Sequence, residues 1–293
     1  GSSYLSLTRY SYNAGYFYDN GVWNQGLGVA SNPNPDLKWE TQISTDFGIE
    51  FGMFDRLTGS VEYFRKDSKD LLFDVSQPAS MGITSIVQNI GKVSNSGVEI
   101  DLNYDVLKNK DWSLSVGANA TFIKNEIVTL PEEMRKEGYI DGSKKWMEGS
   151  SIYEFWLRQW YGVDPATGNG LYYADTENYK ETDAAYAKTL TNDYTYAKFD
   201  YSGASIPKVF GGFNFRLGYK AFDLAATFSY QLGGHMLDTS YAGMLSASEY
   251  GYSMHPDVKK SWKQPGDVTE FPRLDANATH NTNVSQSYST RWL

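Results

Sequence analysis

From Trp39 the chain alternates without a break. Trp39, Thr41, Ile43, Thr45, Phe47, Ile49, Phe51 and Met53 fall on one face, while Glu40, Gln42, Ser44, Asp46, Gly48, Glu50 and Gly52 fall on the other. Period two is the mark of a β-strand with one apolar face, and here it runs far past the ordinary strand of about 5 or 6 residues. A tight turn around Phe54 to Arg56 is predicted next, and Leu57, Gly59, Val61 and Tyr63 resume the pattern on the return. A second hairpin sets Val98, Ile100, Leu102, Tyr104 and Val106 against Glu99, Asp101, Asn103 and Asp105. It turns at Lys108 to Asp111 and returns through Trp112, Leu114, Val116, Ala118, Ala120 and Phe122. A third runs through Phe213, Phe215, Leu217 and Tyr219, turns near Lys220 and Ala221, and returns through Phe222, Leu224, Ala226, Phe228 and Tyr230. Gly and Ala within these runs suit a curved wall.

The predicted hairpins are 39–66, 97–124 and 208–232, separated by long loops at 67–96, 125–207 and 233–293. Turns thus alternate short and long. The link over 125–207 is too long for a compact soluble domain unless it carries structure of its own. Bacterial outer-membrane barrels have this asymmetry, with short periplasmic turns and long external loops. The alternation also fits a β-sandwich, in which one face of each sheet is buried against another. Long strands, faces rich in Glu, Asp, Asn and Gln, and one-sided loops favour the barrel. The fold expected is all-β, an antiparallel transmembrane β-barrel with long extracellular loops.

Composition agrees. Aromatic residues make up 16% of the chain, with 23 Tyr, 27 Gly and no Cys, and the mean hydropathy is -0.50. Such a chain suits β structure outside the cytoplasm, held by strand pairing rather than disulfides. No run approaches the roughly 18 to 20 apolar residues of a membrane helix, which says nothing against a barrel, whose strands are apolar on one face only. The net charge of -9 and pI near 4.9 argue against nucleic acid as a partner, because phosphate binding needs clustered Lys and Arg. No signal peptide is recognisable, and Gly1-Ser2 fits a cloning remnant, so the natural start is expected elsewhere.

The segment Asn34-Pro35-Asp36-Leu37-Lys38-Trp39-Glu40, leading into the first strand, resembles the signature of SusC/RagA-type TonB-dependent transporters. Gly59-Ser60-Val61-Glu62-Tyr63-Phe64, Lys69-Asp70-Leu71-Leu72, Gln88-Asn89-Ile90-Gly91 and Asn95-Ser96-Gly97-Val98-Glu99 resemble the following blocks of that family in the same order. Gly162-Val163-Asp164-Pro165-Ala166-Thr167-Gly168 and Ile206-Pro207-Lys208-Val209-Phe210-Gly211-Gly212 resemble later ones. The resemblance spans roughly Asn34 to Gly234. It implies a place in a 22-stranded barrel filled by an N-terminal plug, import driven by TonB through that plug, and a SusD-like lipoprotein capping the barrel from outside. The implied cargo is oligosaccharides or peptides, and the implied setting is outer-membrane lipid of a Gram-negative bacterium. Against the whole family member, the plug and the final strands are expected to lie outside these 293 residues.

No enzyme activity, cofactor or metal is expected. His235, His255 and His280 lack carboxylate or Cys neighbours at ligand spacing. Glu132 and Glu133 are adjacent in a charged run, whereas an acid/base pair must face across a cleft. Asp164 to Gly170 reads DPATGNG and lacks the alternating acids of a calcium loop, so a plain turn is expected. The densest aromatic cluster is Tyr153, Phe155, Trp156, Trp160, Tyr161, Tyr172 and Tyr173, with Arg158 among them. Aromatic faces stack on sugar rings and peptide side chains, which makes Tyr153, Trp156, Arg158, Trp160 and Tyr161 the candidates for cargo or partner contact. The competing role is packing of the loop on itself or anchoring of strand ends at the lipid interface. Trp39 and Trp112 are expected in the interfacial aromatic girdle. Glu50, Glu99, Asp101 and Asp105 are expected to face a wet lumen. A soluble carbohydrate-binding sandwich and a secreted glycoside hydrolase are the rival readings, the latter needing a facing carboxylate pair.

Overall fold

A computed structural model describes residues 7, 9–11, 16–25, 28–31, 34–76, 80, 85–177, 189–245, 253–274 and 288–293. The strands are β1 (Arg9–Ser11), β2 (Tyr16–Asp19), β3 (Val22–Gln25), β4 (Gly28–Ser31), β5 (Thr41–Met53), β6 (Leu57–Ser76), β7 (Ser85–Lys108) and β8 (Trp112–Thr129). They continue with β9 (Tyr139–Asp141), β10 (Lys144–Trp146), β11 (Glu154–Arg158), β12 (Trp160–Val163), β13 (Gly170–Tyr173), β14 (Leu190–Thr191), β15 (Phe199–Ala204), β16 (Val209–Tyr219) and β17 (Phe222–Leu232). Two short α-helices, α1 (Glu132–Arg135) and α2 (Thr239–Met244), and 3-10 turns at Tyr194–Tyr196, Pro256–Lys260 and Thr290–Trp292 lie among the described residues. The chain divides into one unit of residues 1–138, 147–151 and 211–229, and another of 139–146, 152–210 and 230–293.

The wall is a six-stranded antiparallel sheet in the order β17-β16-β8-β7-β6-β5. Its registers carry the alternation across strands. Phe47 faces Tyr63, Tyr63 faces Val98 and Val98 faces Phe122, all on one face. That face is bare: Phe47 is 67% exposed and Leu224 58%. A sandwich would cover it with a second sheet. The opposite face carries Glu50, Ser60, Asp101 and Asn119 in one continuous row. Here Glu50, Thr58, Ser60, Asp101 and Asn103 line an open groove of about 510 Å³. The ten residue steps from Trp112 to Phe122 cover about 33 Å of strand, or about 25 Å of height at a 40° tilt, the thickness of a barrel's apolar band.

Charge closes that band on the side of the long connections. One pleat above the Tyr63–Val98–Phe122 row lie Arg65, Ser96 and Lys124, and above them Asp67, Ser94 and Glu126. At the short-turn end Trp112 packs on Tyr219 with ring centroids 4.1 Å apart, in keeping with an interfacial role for Trp112. Trp39 lies beyond the charged rows, next to Thr41, which pairs with Lys69.

These charged rows explain where sequence and structure part. The expected loop at 67–96 is largely strand, since β6 runs to Ser76 and β7 begins at Ser85. Just above the band the outer positions are Arg65, Asp67 and Lys69 on β6, Ser96, Ser94 and Lys92 on β7, and Lys124 and Glu126 on β8, so the apolar half of the alternation breaks off there while the pairing continues. Likewise β8 reaches Thr129, and the connection over 125–207 contains β9 to β15.

The short turns rely on local chemistry. Phe54 (φ 58°) and Asp55 (φ 55°) are both left-handed, as a type I′ turn requires, and the Arg56 N–H donates to the Met53 carbonyl at 3.2 Å. At the next hairpin the Asn109 side chain accepts from the Asp111 and Trp112 N–H groups at 3.0 and 2.8 Å. Opposite these turns, the family-like blocks lock together. Asn89 donates to the carbonyls of Lys38 (2.9 Å) and Asp70 (2.7 Å) and accepts from the Lys38 N–H at 2.8 Å. Asn34 donates to the Val87 carbonyl at 2.8 Å, and Glu40 accepts from the Leu72 N–H at 2.9 Å. Asn34 to Glu40 is thus tied to β6 and β7 by side chains where no ladder bonds reach.

A small core sits on the polar face near the far end of β8. Ile127 is 1% exposed, with Val93, Leu130 and Met134 buried beside it. Residues 147–151 cover it: the Ile127 N–H donates to the Ser150 carbonyl and the Gly149 N–H to the Ile127 carbonyl, both at 2.8 Å.

Gly97 is required by its neighbour. A Cβ there would stand 2.2 Å from the Phe122 carbonyl oxygen on β8 and 2.5 Å from Cζ of Phe64, whose ring lies across the glycine from the paired position on β6. Gly97→Ala is expected to cost about 1–3 kcal/mol by overpacking. The measurement is the urea midpoint of the full-length protein in lipid; adding Phe64→Leu should restore part of the loss.

Candidate functional site

The aromatic cluster belongs to the second unit. Its scaffold is a four-stranded sheet, β15-β11-β10-β9, and a three-stranded one, β12-β13-β14. In β11 alternate residues are buried: Phe155 (5% exposed) and Leu157 (0%) point inward, while Trp156 and Arg158 lie on the half-exposed side. Register then brings β15 alongside, with Trp156 opposite Tyr201 and Arg158 opposite Phe199. The Trp156 ring meets Tyr201 edge-on at 4.9 Å and stacks with Phe199 at 6.2 Å. Two cations sit over these rings. The Lys145 ammonium is 4.5 Å from the Trp156 centroid, and the Arg158 guanidinium lies 4.5 Å from Phe199 and 4.8 Å from Tyr194. The Arg158 Nε also donates to the Tyr194 carbonyl at 2.9 Å. One sheet face therefore presents partly exposed rings edged by positive charge, able to stack on a ring or apolar side chain and to attract an anionic group.

The other candidates lie elsewhere. Tyr153 lies beneath the Lys144 ammonium at 5.3 Å. Trp160 faces inward, edge-on to the buried Tyr172 at 5.3 Å. Tyr161 points outward and meets Tyr173 edge-on at 5.5 Å, both rings about half exposed. Five residues close in sequence thus occupy four environments, and only Trp156 and Arg158 share one. Sequence reasoning missed Tyr194, Phe199 and Tyr201, some forty residues away, and Lys145 on the neighbouring β10, because strand pairing leaves no local spacing signal.

Arg291 is the second missed feature. Its guanidinium lies 4.4 Å from the Trp292 ring, 4.9 Å from Trp160 and 5.7 Å from Phe271. Burial among these rings pulls its pKa down to about 10, and it remains a cation at neutral pH. The Trp160 N–H also donates to Thr290 Oγ1 at 3.0 Å, so Trp160 anchors this segment.

The DPATGNG segment is a turn. Asp164 accepts from the Ala166 N–H (2.9 Å) and the Thr167 hydroxyl (2.6 Å), which hold its carboxyl below the usual range. A Cβ on Gly168 would press to 2.5 Å from the Trp262 ring, which donates its Nε1–H to the Pro165 carbonyl at 3.0 Å. Glu132 and Glu133 are successive residues of α1. His235 lies against Gly203, and His255 Nδ1 accepts from the Asp257 N–H at 3.2 Å; His280 lies outside the described residues. Among the described residues no group of His, Asp and Glu has metal-holding geometry.

Inward and outward aromatics should separate on mutation. Trp160→Ala is expected to destabilise the loop unit by about 3–5 kcal/mol and to raise its cleavage in limited proteolysis of the full-length protein. Tyr161→Ala should leave proteolysis within about 0.5 kcal/mol of unchanged.

Residues 4–243 match the family described as TonB dependent receptor-like, beta-barrel. TonB-dependent receptor P39 of Formosa agariphila is 26% identical over 314 residues, covering 94% of this chain and 30% of that protein. TonB-dependent receptor SusC of Bacteroides thetaiotaomicron is 32% identical over 121 residues, which is 40% of this chain and 12% of SusC. Among solved structures, that of the RagAB peptide transporter superposes with a TM-score of 0.73 at 26% identity, covering 94% of this chain and 29% of that one. The RagAB peptide importer in its 'open-open' state gives a TM-score of 0.69 at the same identity. The chain spans about 30% of the length of the relatives that cover most of it.

Proposed function

Because this chain belongs to the TonB-dependent receptor-like β-barrel family, we propose that it forms part of the wall and outer loops of an outer-membrane importer. The carrying observation is the six-stranded sheet itself: a bare apolar face about 25 Å tall on one side, bounded by charge, and a polar face on the other. A backbone that crosses lipid must close its hydrogen bonds between strands, and such a sheet does so.

The protein works by binding and gated passage rather than by catalysis. Its cargo is an oligomer too large for simple pores, an oligosaccharide or a peptide, and a SusD-like lipoprotein caps the barrel while TonB drives release through the plug. Three observations support this. The ordered motif blocks resemble SusC/RagA transporters, two similar solved structures are of a peptide importer, and the Trp156–Arg158 face suits ring and side-chain contact. On this reading Trp156, Arg158 and Tyr161 contact cargo or partner, while Tyr153 and Trp160 support them.

The test uses the full-length parent protein. It should fractionate with outer membranes, require detergent for solution, and support uptake of a labelled oligosaccharide or oligopeptide that Trp156→Ala reduces severalfold without lowering membrane abundance. A parent found in the soluble periplasmic or secreted fraction, or one fully active without any energy source, contradicts the proposal.

A further inference from the structure

A guanidinium carries five N–H donors and keeps its charge near neutral pH, so where it leaves water it normally meets a carboxylate or carbonyls. Arg291 meets rings instead. It is half-buried, with its guanidinium 4.4 Å from the Trp292 centroid, 4.9 Å from Trp160 and 5.7 Å from Phe271. Ring faces attract a cation, each for a modest gain, but offer its N–H groups no in-plane lone pair. Among the described residues no carboxylate lies within 4 Å of this guanidinium, and no acceptor takes a hydrogen bond from it. Glu270 reaches it only through its field. None of its nitrogens is sealed from solvent, unlike the Ser289 hydroxyl two residues earlier, which is enclosed without a partner. The donors of Arg291 are therefore unfilled and reachable.

The cage is held from several sides. The Arg158 N–H donates to the Tyr288 carbonyl at 3.1 Å, the Trp160 N–H to Thr290 Oγ1 at 3.0 Å and the Asp238 N–H to the Trp292 carbonyl at 2.7 Å, which fixes the run on both sides of Arg291. The Phe271 carbonyl accepts from the Trp262 N–H at 2.9 Å, and Tyr241 meets Trp292 edge-on at 6.1 Å. The ordering that a mobile surface arginine undergoes on binding is already complete here, which favours affinity.

The surroundings narrow the ligand. A planar fork of N–H groups matches a carboxylate, which accepts two parallel bonds. Whatever carries that carboxylate must suit apolar rings, because the Thr290 hydroxyl already accepts from Trp160 and the Ser289 hydroxyl is enclosed. A uronic acid would bring several hydroxyls into this setting, each costly to leave unpaired. The last residue of a peptide brings one carboxylate and one side chain, which match one guanidinium and an apolar wall.

We propose that Arg291, in its cage of Trp160, Phe271 and Trp292, binds the free C-terminal carboxylate of an oligopeptide cargo. This rests on the importer reading above and names, within it, a cargo class and the group by which it is recognised.

The experiment uses the full-length protein purified from outer membranes in detergent, and a pool of random octapeptides without Asp or Glu, made both as free acids and as C-terminal amides. Retained peptides are counted by mass spectrometry. A charge-assisted, two-bond contact should enrich free acids over amides on the order of tenfold. Arg291→Gln should bring the two forms to parity, and Arg291→Lys, which keeps the charge and loses the fork, should fall between. Retention of the amides should be the same in all three proteins, a pattern that a merely structural arginine would not give. If Arg291→Gln does not insert, the acid-to-amide ratio of Arg291→Lys decides. Equal retention of both forms by the parent, or an undiminished ratio in the variants, overturns the proposal. So does Arg291-dependent retention of oligogalacturonates without retention of peptides, which would give the site to a carboxylated sugar. A parent absent from outer membranes overturns the importer reading instead, before any peptide is added.

Discussion

The constraint from which the rest follows is that a backbone in hydrocarbon finds no water to bond to. Every N–H and C=O within the band must pair with a neighbouring strand. Long, uninterrupted registers such as the thirteen paired positions of β5 and β6 are the consequence. So is the pattern of side chains: with pairing fixed, the only freedom left is which residues face lipid and which face the lumen. The six strands leave β5 and β17 at the two edges of the sheet. In lipid such edges must meet further strands, since only a closed sheet has none exposed.

Above the band the same strands meet other demands, and their chemistry changes without a change in pairing. Charged rows replace aromatic ones on the outside, and on the inside a small core forms over Ile127 and Val93 where residues 147–151 fold back. Here side chains take over bonds that strands do not supply. Asn89 holds both sides of Lys38, and Asn34 and Glu40 reach β7 and β6. The family-like motif is therefore a structural tie. It fixes the entry into β5, beside the exposed Trp39.

Strands within the band were legible in the sequence because lipid on one side and water on the other impose strict alternation, as from Ile43 to Met53. The same rule hid the upper strands, since Arg65, Asp67 and Lys69 continue the outer face in charge instead of hydrocarbon. The loop unit was legible only as composition. Nothing at Trp156 announces Phe199 and Tyr201, and nothing at Trp160 announces Arg291, because those neighbours arrive through pairing across long sequence distances. Proximity in sequence groups the five candidate residues into one patch. Strand alternation instead sends Trp160 inward and Tyr161 outward, and a single-residue step decides which can touch a ligand.

The most direct test of the central claim is cysteine scanning along β7 in the full-length protein, which is clean across this chain because it has no Cys of its own. Single cysteines at Val98 through Asn103 would be labelled in liposomes with a water-soluble maleimide. The account predicts alternation, with Glu99, Asp101 and Asn103 positions labelled and Val98, Ile100 and Leu102 positions protected until detergent is added. Uniform labelling of both sets in lipid would contradict a membrane wall and return the apolar face to water.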